Sequence, residues 1–558
     1  MKRPKGKDGF NSTCRISILP EHILQKILYF LSQKEAVRTS VLSKSWRSIW
    51  CTRPNLDFSI QAFEGNKQDF ITTVDNTLQR YLDHRLCIEE FSLRVSIGGD
   101  DDEESMPALE QWITLVTSMG LKELRLRNST EDYKINHLPS VVFEAESLKY
   151  LHLDRFIVDQ TTIRRILLLK NLKSLDLQRV SIKDDIFEKI ILSSPMIETL
   201  AVRNCRTLTT IDAMSLQNLK KFTFVNDNVP FVDDCRIKIH TPSLQVIDFR
   251  GRYIPFLMGA DFRNLTRLSL TDVVSPLDHL STCKFPILEI LIIFDCCGFE
   301  EIKLFIDAPK INSFDYFGDF IPSISFATTS SSSEWHSTIH LHSIDVFSSL
   351  WFVNLNELLK SLSQSIISLN IDQCSPIREN IMVQDKNIKP VVVDSLGLRF
   401  DLSSISSLMN ALFCVCRPRF IDDSFFCGSG WKMDHIKCLW NILLMRREFR
   451  RKNQLSQLWF RDLEELRLLQ HILLLAAAAM HPSPAMFAPS DAALSANASP
   501  RRSISSKLLP QHDSAASQTK SASPARLFRR RCFCCCSSWN RERICSSWNW
   551  ERICSSWN

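Results

Sequence analysis

Apolar residues recur through the middle of this chain in the order L-x-x-L-x-L, with Ile, Val, Phe or Tyr admitted at the apolar positions. Thirteen copies begin at Ile88, Leu121, Leu148, Leu172, Ile197, Leu219, Leu244, Leu265, Leu288, Ile311, Leu341, Ile366 and Val393. Twelve steps cover 305 residues, an average of about 25, with single steps of 21 to 33. LKELRL (121–126), LKYLHL (148–153), LKSLDL (172–177) and LTRLSL (265–270) are the clearest, and the copies from Ile311 onward are weaker. The alternation inside a copy, as in Leu124-Arg125-Leu126, is the period of two of a short strand with one buried face. Apolar runs such as Ile163–Leu169 and Ile186–Leu192 can supply a helix or turn behind the strands. One such unit cannot bury its apolar face alone, so neighbours must stack. The pattern predicts an α/β fold: a leucine-rich-repeat solenoid with a parallel sheet on its concave side, unevenly curved because the repeats are uneven.

A different period precedes it. Ile23, Leu24, Ile27, Leu28 and Leu31 form one helical stripe, opened by Pro20 and by Glu21 in the first turn. Ser32, with Glu35 three residues on, predicts a second helix carrying Ala36, Val37, Val41 and Leu42. Ser43 predicts the cap of a third, holding Trp46, Ile49 and Trp50, and Pro54 ends it. About forty residues with two tryptophans exceed what one small core needs. These helices either cap the solenoid or leave an apolar face for a partner.

The order LP-x-x-I-L-x-x-I-L-x-x-L, then RTSVLSK-x-W (38–46) and W-x-x-x-P-N-L-D-F (50–58), resembles the F-box of plant F-box/leucine-rich-repeat proteins. Ser45 stands where many relatives have Arg. The resemblance implies that this face binds the small adaptor subunit of a cullin–RING (SCF-type) ubiquitin ligase. Leu19, Pro20, Ile23, Ile27, Leu31, Val41, Leu42 and Trp46 would fill a hydrophobic groove on that adaptor. Leu408, Leu412, Cys414, Cys416, Arg417 and Pro418, with Cys438 and Trp440, resemble the segment that follows the repeats in the same family, without a full copy of its FBD domain.

Charge redraws the picture in one respect. The net charge of +6 comes from residues 476–558, which hold eleven Lys/Arg against four Asp/Glu, so the rest of the chain is near −1. The body therefore has no basic field to suggest nucleic acid. Of nineteen cysteines, thirteen are scattered through the body, as expected of reduced thiols inside a cell and not of a secreted disulfide scaffold. The start lacks a signal-peptide core, and the longest apolar run, Ile472–Met480, is too short to cross a membrane. The body is expected in the nucleus, the cytoplasm or both. The acidic run Asp100–Glu104 and the Ser-rich Thr328–Ser333 read as solvated loops, the former alternatively as a dock for a basic partner. Beyond about residue 476 the chain turns to Ala, Ser, Pro and Arg, a composition that favours disorder, and ends in three Cys-Ser-Ser-Trp units at period nine. CFCCC (532–536) lacks zinc-site spacing and a nearby His. Acylation beside Arg529–Arg531, or nuclear import through that basic cluster, is an alternative use.

Catalytic chemistry finds no foothold. Phosphate-cradling glycine motifs, G-x-S-x-G and H-E-x-x-H do not occur. His336, His340 and His342 cluster, but no Cys or Asp completes a metal set near them, and His240, His279 and Cys51 read as structural. No metal, cofactor or enzymatic activity is expected. The expected organisation is an F-box at 14–60, linker helices at 61–87, the solenoid at 88–400, a C-terminal cap at 401–470 and a low-complexity tail at 471–558. The function expected is that of a ligase substrate receptor, with an interaction scaffold or inhibitor acting outside any ligase as the alternative. A target protein would meet the outward strand positions, among them Arg125, His152, Asp176, Asp248 and Ser269.

Overall fold

The structure, a computed structural model, describes residues 19–422 except 32, 64–65, 97–104, 130–136, 162–166, 228–234, 240, 253–261, 298, 300–301, 328–333, 344–346, 374–387 and 400–410. The acidic run, the Ser-rich run, Ser32, His240, Leu408, Cys438, Trp440 and the whole tail lie outside the described residues.

The helical signals become α1 (Glu21–Phe30), α2 (Gln33–Thr39) and α3 (Lys44–Cys51). The Ser43 hydroxyl accepts from the Trp46 N–H at 3.2 Å, closing α3 as its position predicts. Leu24, Leu28, Ala36, Trp46 and Ile49 form a small core of their own. α2 is shorter than the apolar pattern suggests. The Thr39 and Ser40 hydroxyls donate back to the Ala36 and Val37 carbonyls at 2.7 and 2.6 Å, offering the backbone a way out of the helix. Val41 and Leu42, expected on the helix, therefore lie in the turn before Ser43.

A single sheet of fifteen parallel strands follows. It starts at Asn55–Ser59, within the stretch that reads as the end of the N-terminal module, and not at residue 88. It runs on to Cys416–Asp422, inside the expected cap. The expected linker contains α4 (Lys67–Asp83), which sinks Phe70, Val74, Leu78 and Tyr81 into the repeat core and so is a packed layer of the first repeat. α5 (Ser105–Ser118), α6 (Asp184–Leu192) and α7 (Ser349–Ser361) add to that layer. α6 fulfils the apolar run at 186–192.

The repeat frame holds in register from Leu124 to Phe314. Leu124, Leu151, Leu175, Leu200, Phe222, Ile247, Leu268, Leu291 and Phe314 are direct partners from strand to strand, each no more than 1% exposed. Burying one such side chain stabilises by about 2–3 kcal/mol. Asn171, Asn218 and Asn264, each just before a repeat leucine, donate their side-chain amides to the Glu146, Pro195 and Pro242 carbonyls of the preceding turn. Strands leave the sheet through Arg155, Arg179, Asn204, Asp272 and Asp295, all left-handed.

The last repeats correct the pattern. Ser313 pairs with His336 and His336 with Ile366, so the strand Trp335–Ser343 begins six residues before Leu341. At Ile366 and Val393 the frame is offset by two residues, which leaves the same side chains facing inward because a strand repeats every two. These strands are nine residues long, so several L-x-x-L-x-L alignments fit each.

Candidate functional site

Two surfaces stand out, joined by a hydrogen-bonded seam. The first is on the N-terminal module. Leu24 and Leu28 point into its core, which turns Ile23 and Ile27 partly outward on the adjoining face of α1. Val41 is 84% exposed and Leu42 61%, and Leu19, Phe30 and Val37 are exposed as well. Apolar side chains this open on so small a module mark a surface awaiting cover.

The seam holds this module against the first repeats. The Tyr29 hydroxyl donates to the Glu90 carboxylate at 2.6 Å, and that bond holds the phenol above its usual pKa. Buried Tyr81 donates to the Arg53 carbonyl at 2.7 Å, and burial pushes its phenol up to about 12. The Arg80 guanidinium lies over the Trp50 ring at 5.4 Å. Arg53 is itself buried, which lowers its guanidinium pKa. The module is thus keyed to the sheet by α4, whose sequence supplies both Arg80 and Tyr81.

The second surface is the sheet face turned away from the core. Arg125, His152, Asp176, Ala201, Thr223, Asp248 and Ser269 form one row across seven strands, so all five residues expected there share one line. Charges along it are paired between strands. Asp176 takes His152 at 3.0 Å and Arg203 on either side. Burial alone would raise its pKa, but the hydrogen bond from His152 and the charge of Arg203 prevail and lower it. Asp248 lies between Lys221 at 3.4 Å and Arg267 at 3.6 Å. Arg125 pairs within its own strand with Glu123. In the next row Asp154, with a fully buried side chain, accepts from Arg179 at 2.7 and 3.0 Å and meets Arg127 at 3.0 Å.

Farther along, the same face changes character. Ile290, Ile292 and Phe294 are at least partly exposed, and Phe294 stacks on Phe317 at 4.3 Å between centroids. Phe317 in turn packs on His340 and His342 at 4.6 and 4.5 Å.

A family model for the F-box domain matches residues 16–58, and one described as "FBD-associated F-box protein At5g56370, LRR repeats" matches residues 109–245. The chain joins an F-box to leucine-rich repeats of the plant type. Among curated relatives it is 32% identical over 259 residues to the FBD-associated F-box protein At4g10400 of Arabidopsis thaliana, covering 44% of this chain and 58% of that one. Over 283 residues it is 27% identical to the F-box/FBD/LRR-repeat protein At1g78750 of the same plant, covering 49% and 60%. It is 26% identical over 258 residues to the putative F-box/FBD/LRR-repeat protein At5g44950, also from Arabidopsis thaliana, covering 46% and 57%. The chain therefore spans about 60% of the length of these relatives.

Within the F-box, Leu19, Pro20, Val41 and Leu42 are exposed and Ile23, Ile27 and Leu31 half-buried. Trp46 departs from this group. It is 3% exposed, enclosed by the module's own core, and so cannot reach a groove on another protein without unfolding. Phe30, 82% exposed at the end of α1, was not part of the expected set, although its place beside the helical stripe is visible in the sequence. Asp372 was also missed. The strand after the histidines brings it opposite His342, a proximity that sequence spacing hides. Burial pushes the Cys205, Cys235, Cys296 and Cys416 thiols up to about 12, far from nucleophilic. Among the described residues, no helix is long and apolar enough to cross a membrane.

Proposed function

We propose that this protein is a non-catalytic substrate receptor of an SCF-type ubiquitin ligase: the F-box binds the adaptor and the repeats hold a target protein. The observation that carries the reading is the open apolar surface of Leu19, Val41 and Leu42 on a module matched as an F-box and keyed to the sheet through Tyr29, Arg80 and Tyr81. Such a receptor performs no chemistry. It raises the local concentration of target lysines near the ubiquitin-charged enzyme, and a hydrogen-bonded seam makes that placement reproducible. A nuclear or cytoplasmic setting, where the ligase components act, goes with this reading.

Retention of the adaptor by the full chain tests it. Ile23→Asp/Ile27→Asp should lower retention about 100-fold or more, the loss of roughly 3 kcal/mol from two apolar anchors. Val41→Asp, on the turn, should weaken binding while leaving the thermal midpoint unchanged. Trp46→Ala should destabilise the F-box by about 3–5 kcal/mol and lose binding by unfolding it. Absence of binding by wild type, or equal binding by wild type and Ile23→Asp/Ile27→Asp, would leave a scaffold outside any ligase as the reading.

A further inference from the structure

We infer that His340, His342 and Asp372 form a binding site for a divalent transition-metal ion, with Zn²⁺ as the ion of choice, on the open face of the repeats. His340 and His342 are two residues apart on the strand Trp335–Ser343, so the pleat sends both to the same face. Asp372 lies on the next strand, directly opposite His342. The His340 Nε2 and His342 Nδ1 atoms approach the same carboxylate oxygen, Oδ2, at 3.2 and 3.5 Å. One ligand atom from each of the three residues falls within 4.8 Å of the others.

Two ligands bonded at about 2.0–2.1 Å to a tetrahedral ion are about 3.3 Å apart, between the two His–Asp separations found here. A simple ion pair would require one imidazole. Here a second ring is held against the same carboxylate, and Phe317 packs on both rings. Such outer contacts fix ring orientation in built metal sites. The Asp372 side chain is only 8% exposed, so a neighbouring cation offsets the desolvation of its charge. Two imidazoles and one carboxylate suit Zn²⁺ or Co²⁺ and leave a coordination position open. Phe317, which packs on both rings, also stacks on Phe294, on the face assigned above to the target, although the site stands independently of the ligase reading.

The full chain, stripped by chelator and dialysed, tests this by Zn²⁺ uptake and by Co²⁺ absorption. Wild type should bind one more ion than His342→Gln or Asp372→Asn, or bind it at least about tenfold more tightly. The cobalt spectrum should show d–d bands that persist after alkylation of the thiols. A readout that needs no variant to fold is the second: saturating Zn²⁺ should protect His340 and His342 of wild type from ethoxycarbonylation by diethyl pyrocarbonate in peptide mass maps. Unchanged uptake in both variants, loss of all uptake on thiol alkylation, or unprotected histidines at saturating Zn²⁺ would each overturn the assignment.

Discussion

The open face of the sheet divides into two stretches built on one frame. From Glu123–Asn128 to Arg267–Thr271 it is a lattice of charges, many of them shared between neighbouring strands. From Ile290–Phe294 to Ser365–Gln373 it carries Ile290, Ile292, Phe294, Phe317 and the histidines. The buried face does not change across this border: Leu268, Leu291 and Phe314 are consecutive partners. Folding fixes the inward rows, and the outward rows are free to differ. On the proposed reading the two stretches serve a target differently. Charges already paired at home exchange one partner for another and contribute mainly orientation and exclusion of wrong partners. Exposed aromatic and aliphatic groups gain by burial, so the second stretch should carry most of the affinity.

Within the sheet, the larger expected effect on stability falls on the first stretch. Asp154 has a fully buried side chain and organises Arg127 and Arg179. Asp154→Asn should lower the unfolding free energy by about 2–3 kcal/mol, below the range for a wholly buried pair because both guanidinium groups keep partial contact with water. Urea melts measure it, and a shift under about 0.5 kcal/mol would show that the lattice is ornamental. The reverse profile is expected in the second stretch. Phe294→Ser should change stability by only about 1 kcal/mol, since Phe294 is 38% exposed, yet weaken target retention about tenfold or more. Recovery of the same target set by both proteins in a quantitative pull-down would erase the proposed division of labour.

Much of this architecture is legible in the sequence, and the failures have identifiable causes. The frame from Ile88 to Ile311 and the row from Arg125 to Ser269 follow from a period of two with Leu at fixed places, because burial enforces register. Ser43 declares the start of α3. The frame slips where strands lengthen to nine residues and Ile, Leu and Val occupy several fitting positions. Trp46 misleads because helical period gives a stripe but not which edge of it faces inward. Asn55–Ser59 hides inside the F-box pattern, since pairing with a strand 35 residues later leaves no local mark. Asp372 is hidden for the same reason: it is the neighbouring strand, 30 residues from His342, that completes the cluster.

The smallest effect contrasts one carboxylate from each stretch. Asp176 in the lattice is held below its usual pKa by His152 and Arg203 against the opposing pull of burial, so its contribution to stability is present at neutral pH and fades only in acid, as pH falls below the usual Asp value. Among the described residues no ion pair holds Asp295, just after Phe294. Burial, with the nearby charges of Asp272 and Asp319, raises its carboxyl to about 6, and the charges of Arg250 and His340 only partly oppose the rise. A raised carboxyl favours the folded state while protonated, so this contribution is lost as pH climbs from about 4 through about 6. Asp295→Asn should therefore leave stability near pH 4 unchanged and increase it at pH 7, by under about 1 kcal/mol because the group remains open to water. Urea midpoints of wild type and variant at the two pH values give the comparison. An equal offset at both would mean that the carboxyl is not raised, and that the second stretch tolerates its charges as comfortably as the first.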